Sequence, residues 1–220
     1  MCGRYTLSAS AEKLSQAFNL DTVPPLVPRF NIAPTQMVAA VREETQKRRL
    51  VTLRWGLIPA WAKDPAIGNK LINARAETLS EKPSFRSASR LRRCLIPVSG
   101  FYEWQRLEGR KQPHYIRLGS GEPFAFAGLW ESWHGPEAES VESCTIITTT
   151  ANTLVGTIHD RMPVILAPHD YDAWLNEKLQ SPEAVLPLLR PYPAEAMEAH
   201  PVSTRVNKPG VDAPELVNSL

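Results

Sequence analysis

The chain has 220 residues, of which 43% are hydrophobic and 22% charged, with a formal net charge of +2. This is ordinary globular usage and enough chain to bury one sizeable core, which argues against disorder and favours one domain over two small ones. No apolar run approaches the ~20 residues that span a bilayer, so no membrane partner is expected, and Met1-Cys2-Gly3-Arg4 lacks the apolar stretch of a signal peptide.

In chain order, residues 10–18 predict a helix, with Ser10 at the N-cap and Leu14, Ala17 and Phe18 at helical spacing. Pro24-Pro25-Leu26-Val27-Pro28 cannot continue it and predicts an extended connection. Met37–Arg42 and Leu50–Arg54 flank a polar turn and predict a hairpin. Further strands are expected at Leu95–Tyr102, Tyr115–Leu118, Phe124–Trp130, Thr145–Thr150 and Val164–Leu166, all rich in β-branched and aromatic residues. Helices follow at Tyr171–Leu179 and Pro182–Leu189, the second with Ser181 as cap and a proline in its first turn. Strands in the middle and helices near the ends predict an α+β fold. The expectation is a single domain over residues 1–220, mainly antiparallel strands in an open barrel-like core with peripheral helices.

The small net charge conceals an uneven distribution. Residues 1–117 hold 20 Lys/Arg against 9 Asp/Glu, and the remainder holds 5 against 14. Such asymmetry hints at a polyanionic partner, and Arg86, Arg90, Arg92 and Arg93 stand in an acid-free run suited to phosphate. The other reading is a solvated basic face balanced by the acidic half. Cys2, Cys94 and Cys144 cannot all pair and show no metal-ligand spacing, which fits a reducing, cytoplasmic setting. Cys94 and Cys144 lie in strand-like runs and are expected to be buried and inert. His114, His134, His169 and His200 show no ligand spacing either, so neither metal nor cofactor is expected.

Cys2 is the most informative position. Removal of Met1 would leave an amine and a thiol on adjacent carbons of one residue. An α-amine with a pKa of about 7.7–8 is substantially neutral at physiological pH and can attack an aldehyde to give an imine. The neighbouring thiol can then close a thiazolidine, an intramolecular step with a large effective concentration. Glu103 stands among Phe101, Tyr102 and Trp104, where desolvation would raise its pKa into a range useful for proton transfer. His159 titrates near neutrality. Each residue also has a plainer reading. Cys2 could be incidental, Glu103 a strand-surface residue, His159-Asp160-Arg161 a polar turn, and Asn73 the cap of a helix beginning near Ala74. Most tryptophans are core by default, whereas Trp61 beside Lys63 in a proline-bounded loop could stack on a base.

Taken together, Met1-Cys2-Gly3-Arg4-Tyr5, Asn31-Ile-Ala-Pro34, Arg54-Trp55-Gly56-Leu57-Ile58-Pro59, Asn73-Ala74-Arg75-Ala76-Glu77-Thr78, Gly100-Phe-Tyr-Glu103-Trp104 and His159-Asp160-Arg161-Met162-Pro163 form an ordered series of motifs. The series resembles the SRAP family, the SOS-response-associated peptidases that process abasic sites, and covers about residues 1–210. The resemblance implies a monomer acting on abasic sites in single-stranded DNA through a covalent thiazolidine crosslink. Cys2 would be the nucleophile, Asn73 would hold the amine and sugar oxygens, Glu103 would open the sugar and reverse the crosslink, and His159 would shuttle protons. Arg4, Arg75 and Arg161 would grip phosphates, and Pro34 and Trp61 would line the DNA path. Lys178 and Lys208 fall outside these roles. Two other functions compete, an N-terminal-nucleophile cysteine peptidase and a noncatalytic single-strand-binding module.

Overall fold

The computed structural model describes residues 2–220. Met1, whose removal the chemistry of Cys2 requires, lies outside the described residues. Strand β1 (Arg4–Leu7) leads into helix α1 (Ala11–Phe18), followed by β2 (Arg29–Ile32), β3 (Met37–Glu44), β4 (Lys47–Trp55) and β5 (Asn73–Arg75). Helix α2 (Pro83–Leu91) precedes the long strands β6 (Arg93–Val98), β7 (Gly100–Leu107), β8 (Arg110–Leu118), β9 (Phe124–His134) and β10 (Ser140–Thr150). The chain ends through β11 (Arg161–Pro163), β12 (Ile165–Leu166), α3 (Tyr171–Leu175), α4 (Pro182–Val185) and β13 (Met197–Pro201).

The expected barrel-like core is present, and it closes. Strands β3, β4, β6, β9 and β10 pair around a ring, antiparallel except where β10 runs parallel to β4. The β3–β4 hairpin forms as expected, its turn made by Thr45 and Gln46 with φ of 50° and 63°, the positive angles that match strand twist. A second, antiparallel sheet in the order β13-β8-β7-β1-β2 lies against the barrel. Side chains of β1 and β7 seal the two together. Tyr5 meets Trp55 edge-on at 5.3 Å, and Phe101 meets Phe126 at 5.7 Å. Helix α1 follows its sequence signals: Ser10 caps Lys13 N–H, Leu14 and Phe18 are buried, and Asn19 ends it in the left-handed region.

Several expectations need correction. Leu95–Tyr102 is not one strand, because the chain leaves the barrel at Ser99 and enters the second sheet at Gly100. There Ser99 N–H bonds to Thr6 O, and a Cβ on Gly100 would lie 2.2 Å from the Tyr115 hydroxyl. The helix from Tyr171 stops at Leu175, where Asn176 adopts extended backbone. The one from Pro182 tightens into a 3₁₀ turn, Leu186–Leu188, around Pro187, whose missing N–H and ring disfavour a helix interior. The acid-free arginine run is half structural. It holds α2, and Arg93 is buried, donating to the carbonyls of Ser89 and Arg90 at 2.9 Å each, while Arg92 pairs with Glu131 at 2.7 Å. Part of the charge asymmetry is paired across the fold, since Lys13–Glu122, Arg42–Glu142, Arg48–Asp172 and Arg117–Glu198 all join the basic half to the acidic half. Among the described residues, no helix is long and apolar enough to cross a membrane.

Candidate active site

Four of the nominated residues come from separate segments to one end of β1. The β1–β7 ladder pairs Arg4 with Tyr102, one residue short of Glu103, so Cys2 and Glu103 arrive at the same edge. Cys2 is fully buried, and its thiol is pushed above the usual range, first by burial and then by the neighbouring Glu103 charge. Asn73 donates from Nδ2 to the Cys2 carbonyl at 2.9 Å. It is a strand residue and caps no helix, because the following helical turn begins at Ala76 with Arg75 at the cap. Its Oδ1 is buried without a hydrogen-bond partner among the described residues.

Glu103 is not a surface residue of its strand. It is 1% exposed, and burial pushes its pKa up to about 7. A carboxyl in that range exists as both acid and base at neutral pH, which is what a two-way proton carrier needs. His159 lies in the connection between the 3₁₀ turn Val155–Thr157 and β11, and Gln105 of β7 reaches that connection by donating to Thr157 O at 3.0 Å. The imidazole is half-buried, which lowers its pKa. Its Nδ1 accepts from Arg161 N–H at 3.0 Å and lies 2.9 Å from Asp160 Oδ1. A cavity of about 390 Å³ opens between Trp104–Arg106 and Thr157–Asp160. The charge of Asp160 is among the causes that raise the Glu103 pKa, and Trp104, the next residue of β7, lines the same cavity as His159.

The three arginines differ. Arg4 donates to Asn31 Oδ1 at 2.8 Å and to Val206 O at 2.6 Å. Arg161 forms a two-pronged pair with Glu77, Nη1 to Oε1 at 2.6 Å and Nη2 to Oε2 at 2.9 Å. Arg75 is exposed, and among the described residues its side chain carries neither a hydrogen bond nor an ion pair. Its charge, after that of Arg161, helps hold the Glu77 carboxyl below the usual range. Trp61 is 59% exposed on the β4–β5 connection and, with Lys63 and Lys70, lines a cavity of about 330 Å³. Pro34 is half-buried in the β2–β3 connection. Among the described residues, no hydrogen bond or ion pair joins Pro34 or Trp61 to Cys2, Asn73, Glu103 or His159. Lys208 is nearer the site than expected, because its carbonyl is held at 3.0 Å by Asn31, the partner of Arg4. Cys94 and Cys144 are buried free thiols.

Asn31 and Glu77 stand in the motif series, but the sequence assigned neither a role. Asn31 is 1% exposed and donates to the carbonyls of Val206, Lys208 and Val211, binding the C-terminal segment across β2. An asparagine between Phe30 and Ile32 in a strand was the available signal, because a buried amide there must find partners.

Residues 1–209 match the family model described as SOS response associated peptidase (SRAP). The chain is 49% identical over 223 residues to the abasic site processing protein YoqW of Bacillus subtilis, with all of both chains covered. It is 32% identical over 200 residues to the abasic site processing protein HMCES of Xenopus tropicalis, a match spanning 80% of this chain and 59% of that protein. A crystal structure of a protein from Bacteroides thetaiotaomicron superposes with a TM-score of 0.89 at 28% identity, again over all of both chains.

Proposed function

The chain belongs to the SOS response associated peptidase family, and from that premise we propose that it processes abasic sites in single-stranded DNA by bonding to them covalently through Cys2. The observation that carries this reading is the meeting of a buried Cys2 with Glu103, a carboxyl held near pH 7, and with the side-chain amide of Asn73. Once Met1 is removed, the chemistry proceeds in balanced steps. Glu103 passes a proton to the ring oxygen of the closed sugar and takes one back from the anomeric hydroxyl, exposing the aldehyde. The Cys2 amine adds to the carbonyl carbon, and loss of one water leaves the imine. The thiol then adds across the C=N bond, sulfur to carbon and proton to nitrogen, closing the thiazolidine. His159 carries protons during dehydration, and the free acceptor Oδ1 of Asn73 suits the amine or a sugar hydroxyl. Reversal runs the same steps backwards through Glu103.

The raised thiol pKa weighs against the peptidase reading, since cysteine peptidases rely on a thiolate stabilised by its surroundings. The buried carboxyl weighs against a mere binding module, because a charge there costs stability that simple strand binding does not need. Arg75, Trp61 and Lys63 suit a single strand, the first for phosphate and the others for a stacked base. An oligonucleotide with one aldehydic abasic site tests the proposal. A heat-stable adduct supports it. Turnover of a peptide without an adduct would favour the peptidase, and salt-sensitive binding alone would leave only the binding module.

A further inference from the structure

Arg161 is held by its side chain and holds with its backbone. Its guanidinium is 13% exposed, and both terminal nitrogens are committed. Nη1 and Nη2 take the two oxygens of Glu77 at 2.6 and 2.9 Å, and Nη2 also donates to Thr148 O at 2.8 Å. Arg161 in turn holds the Glu77 carboxyl below the usual carboxylate range. The two partners come from different places. Glu77 rides on the 3₁₀ turn Ala76–Thr78 that directly follows β5, the strand of Asn73, whereas Arg161 opens β11, paired with Thr150. The fork therefore locks the His159 connection against the strand that holds Cys2.

The backbone of Arg161 acts on the imidazole. Its N–H donates to His159 Nδ1 at 3.0 Å, and a ring nitrogen that accepts an N–H carries no proton, so the neutral ring bears its proton on Nε2. Asp160 Oδ1, 2.9 Å from the same Nδ1, makes the opposite demand, because a carboxylate accepts and would draw the proton to Nδ1. Which partner wins depends on where the Arg161 amide is held. We infer that Glu77 is a positioning residue that, through the Arg161 fork, keeps this amide on His159 and sets the Nε2–H tautomer. In that form His159 can give a proton from Nε2 while Nδ1 stays an acceptor. The kinetic consequence rests on the proposed proton-carrying role of His159; the tautomer does not.

Long-range proton–nitrogen correlation of the imidazoles in ¹⁵N-labelled protein tests the inference, with His159→Gln assigning the signal. Wild type should show His159 as Nε2–H at a pH where the ring is neutral. Glu77→Gln, which keeps the size and one hydrogen bond, and Glu77→Ala should both move the population toward Nδ1–H. Both should slow adduct formation by roughly ten- to a hundredfold, as small misplacements of reacting groups do, whereas Glu81→Gln, exposed on the connection between that turn and α2, should do neither. If His159 stays Nε2–H in both Glu77 variants, the inference is overturned; a tautomer shift that leaves the adduct rate unchanged would support it and strike instead the proton-carrying role proposed for His159. Failure of wild type to form any adduct would instead strike the proposed function, and the tautomer would still be readable on the free protein.

Discussion

Replacing Glu103 with glutamine separates what the carboxyl costs the fold from what it does in the reaction. The side chain is 1% exposed, and burial holds its pKa at about 7 against the usual 4.5. A folded pKa above the unfolded one means that the group's contribution is fully present below the unfolded value and lost as pH rises through the folded one. At about 1.4 kcal/mol per pH unit, ionisation by pH ~8 removes about 3 kcal/mol of stability. Glutamine has nothing to ionise. Glu103→Gln should therefore unfold about 3 kcal/mol later than wild type at pH ~8, with the advantage fading toward zero near pH ~4.5. Equilibrium urea unfolding across that range measures the difference. The same variant should bind single-stranded DNA about normally but form the adduct roughly 10²–10⁴ times more slowly, since an amide cannot give and recover a proton. Reversal of a preformed adduct should slow as well. Equal stability of the two proteins at pH ~8 would refute the burial argument, and equal adduct rates at every pH would move the proton transfer to His159.

Arg75→Gln should weaken single-strand binding and flatten its dependence on salt by about one unit of slope, whereas Arg90→Gln, on the exposed face of α2, should change little; equal losses in a salt titration would mean that the charge acts diffusely. Gly100→Ala would place a methyl 2.2 Å from the Tyr115 hydroxyl, which bonds Thr6 Oγ1 at 3.0 Å. It should cost about 1–3 kcal/mol in denaturant unfolding, and a loss near zero would show that Tyr115 can step aside.

What the sequence made legible was whatever local chemistry dictates. The Ser10 cap, a polar turn between Arg42 and Leu50 and the strands from Phe124 and Thr145 follow from neighbours along the chain, and the structure extends those strands without moving them. The burial of Glu103 was also legible, because its aromatic neighbours Phe101 and Tyr102 had to face inward somewhere. What was hidden depends on partners far away in sequence. Nothing near Arg93 announces that its guanidinium also donates to the carbonyls of Trp174 and Asn176, more than 80 positions away, so a buried arginine looks like a phosphate site. The break at Ser99-Gly100 carried a local signal, a serine-glycine pair inside an otherwise apolar run, but that the chain changes sheets there is set by the second sheet, which claims Phe101. Glu77 and Arg161 are separated by 84 positions, and only the fold reveals that one holds the other.

The central claim is that Cys2 itself becomes bonded to the abasic sugar, and intact mass tests it most directly. Wild-type protein with Met1 removed, incubated with an abasic single strand, should gain the mass of the oligonucleotide less one water, in a species that survives heating. Cys2→Ala should yield no such species, and Cys2→Ser only a linkage that borohydride must trap. An undiminished heat-stable adduct from Cys2→Ala would contradict the account.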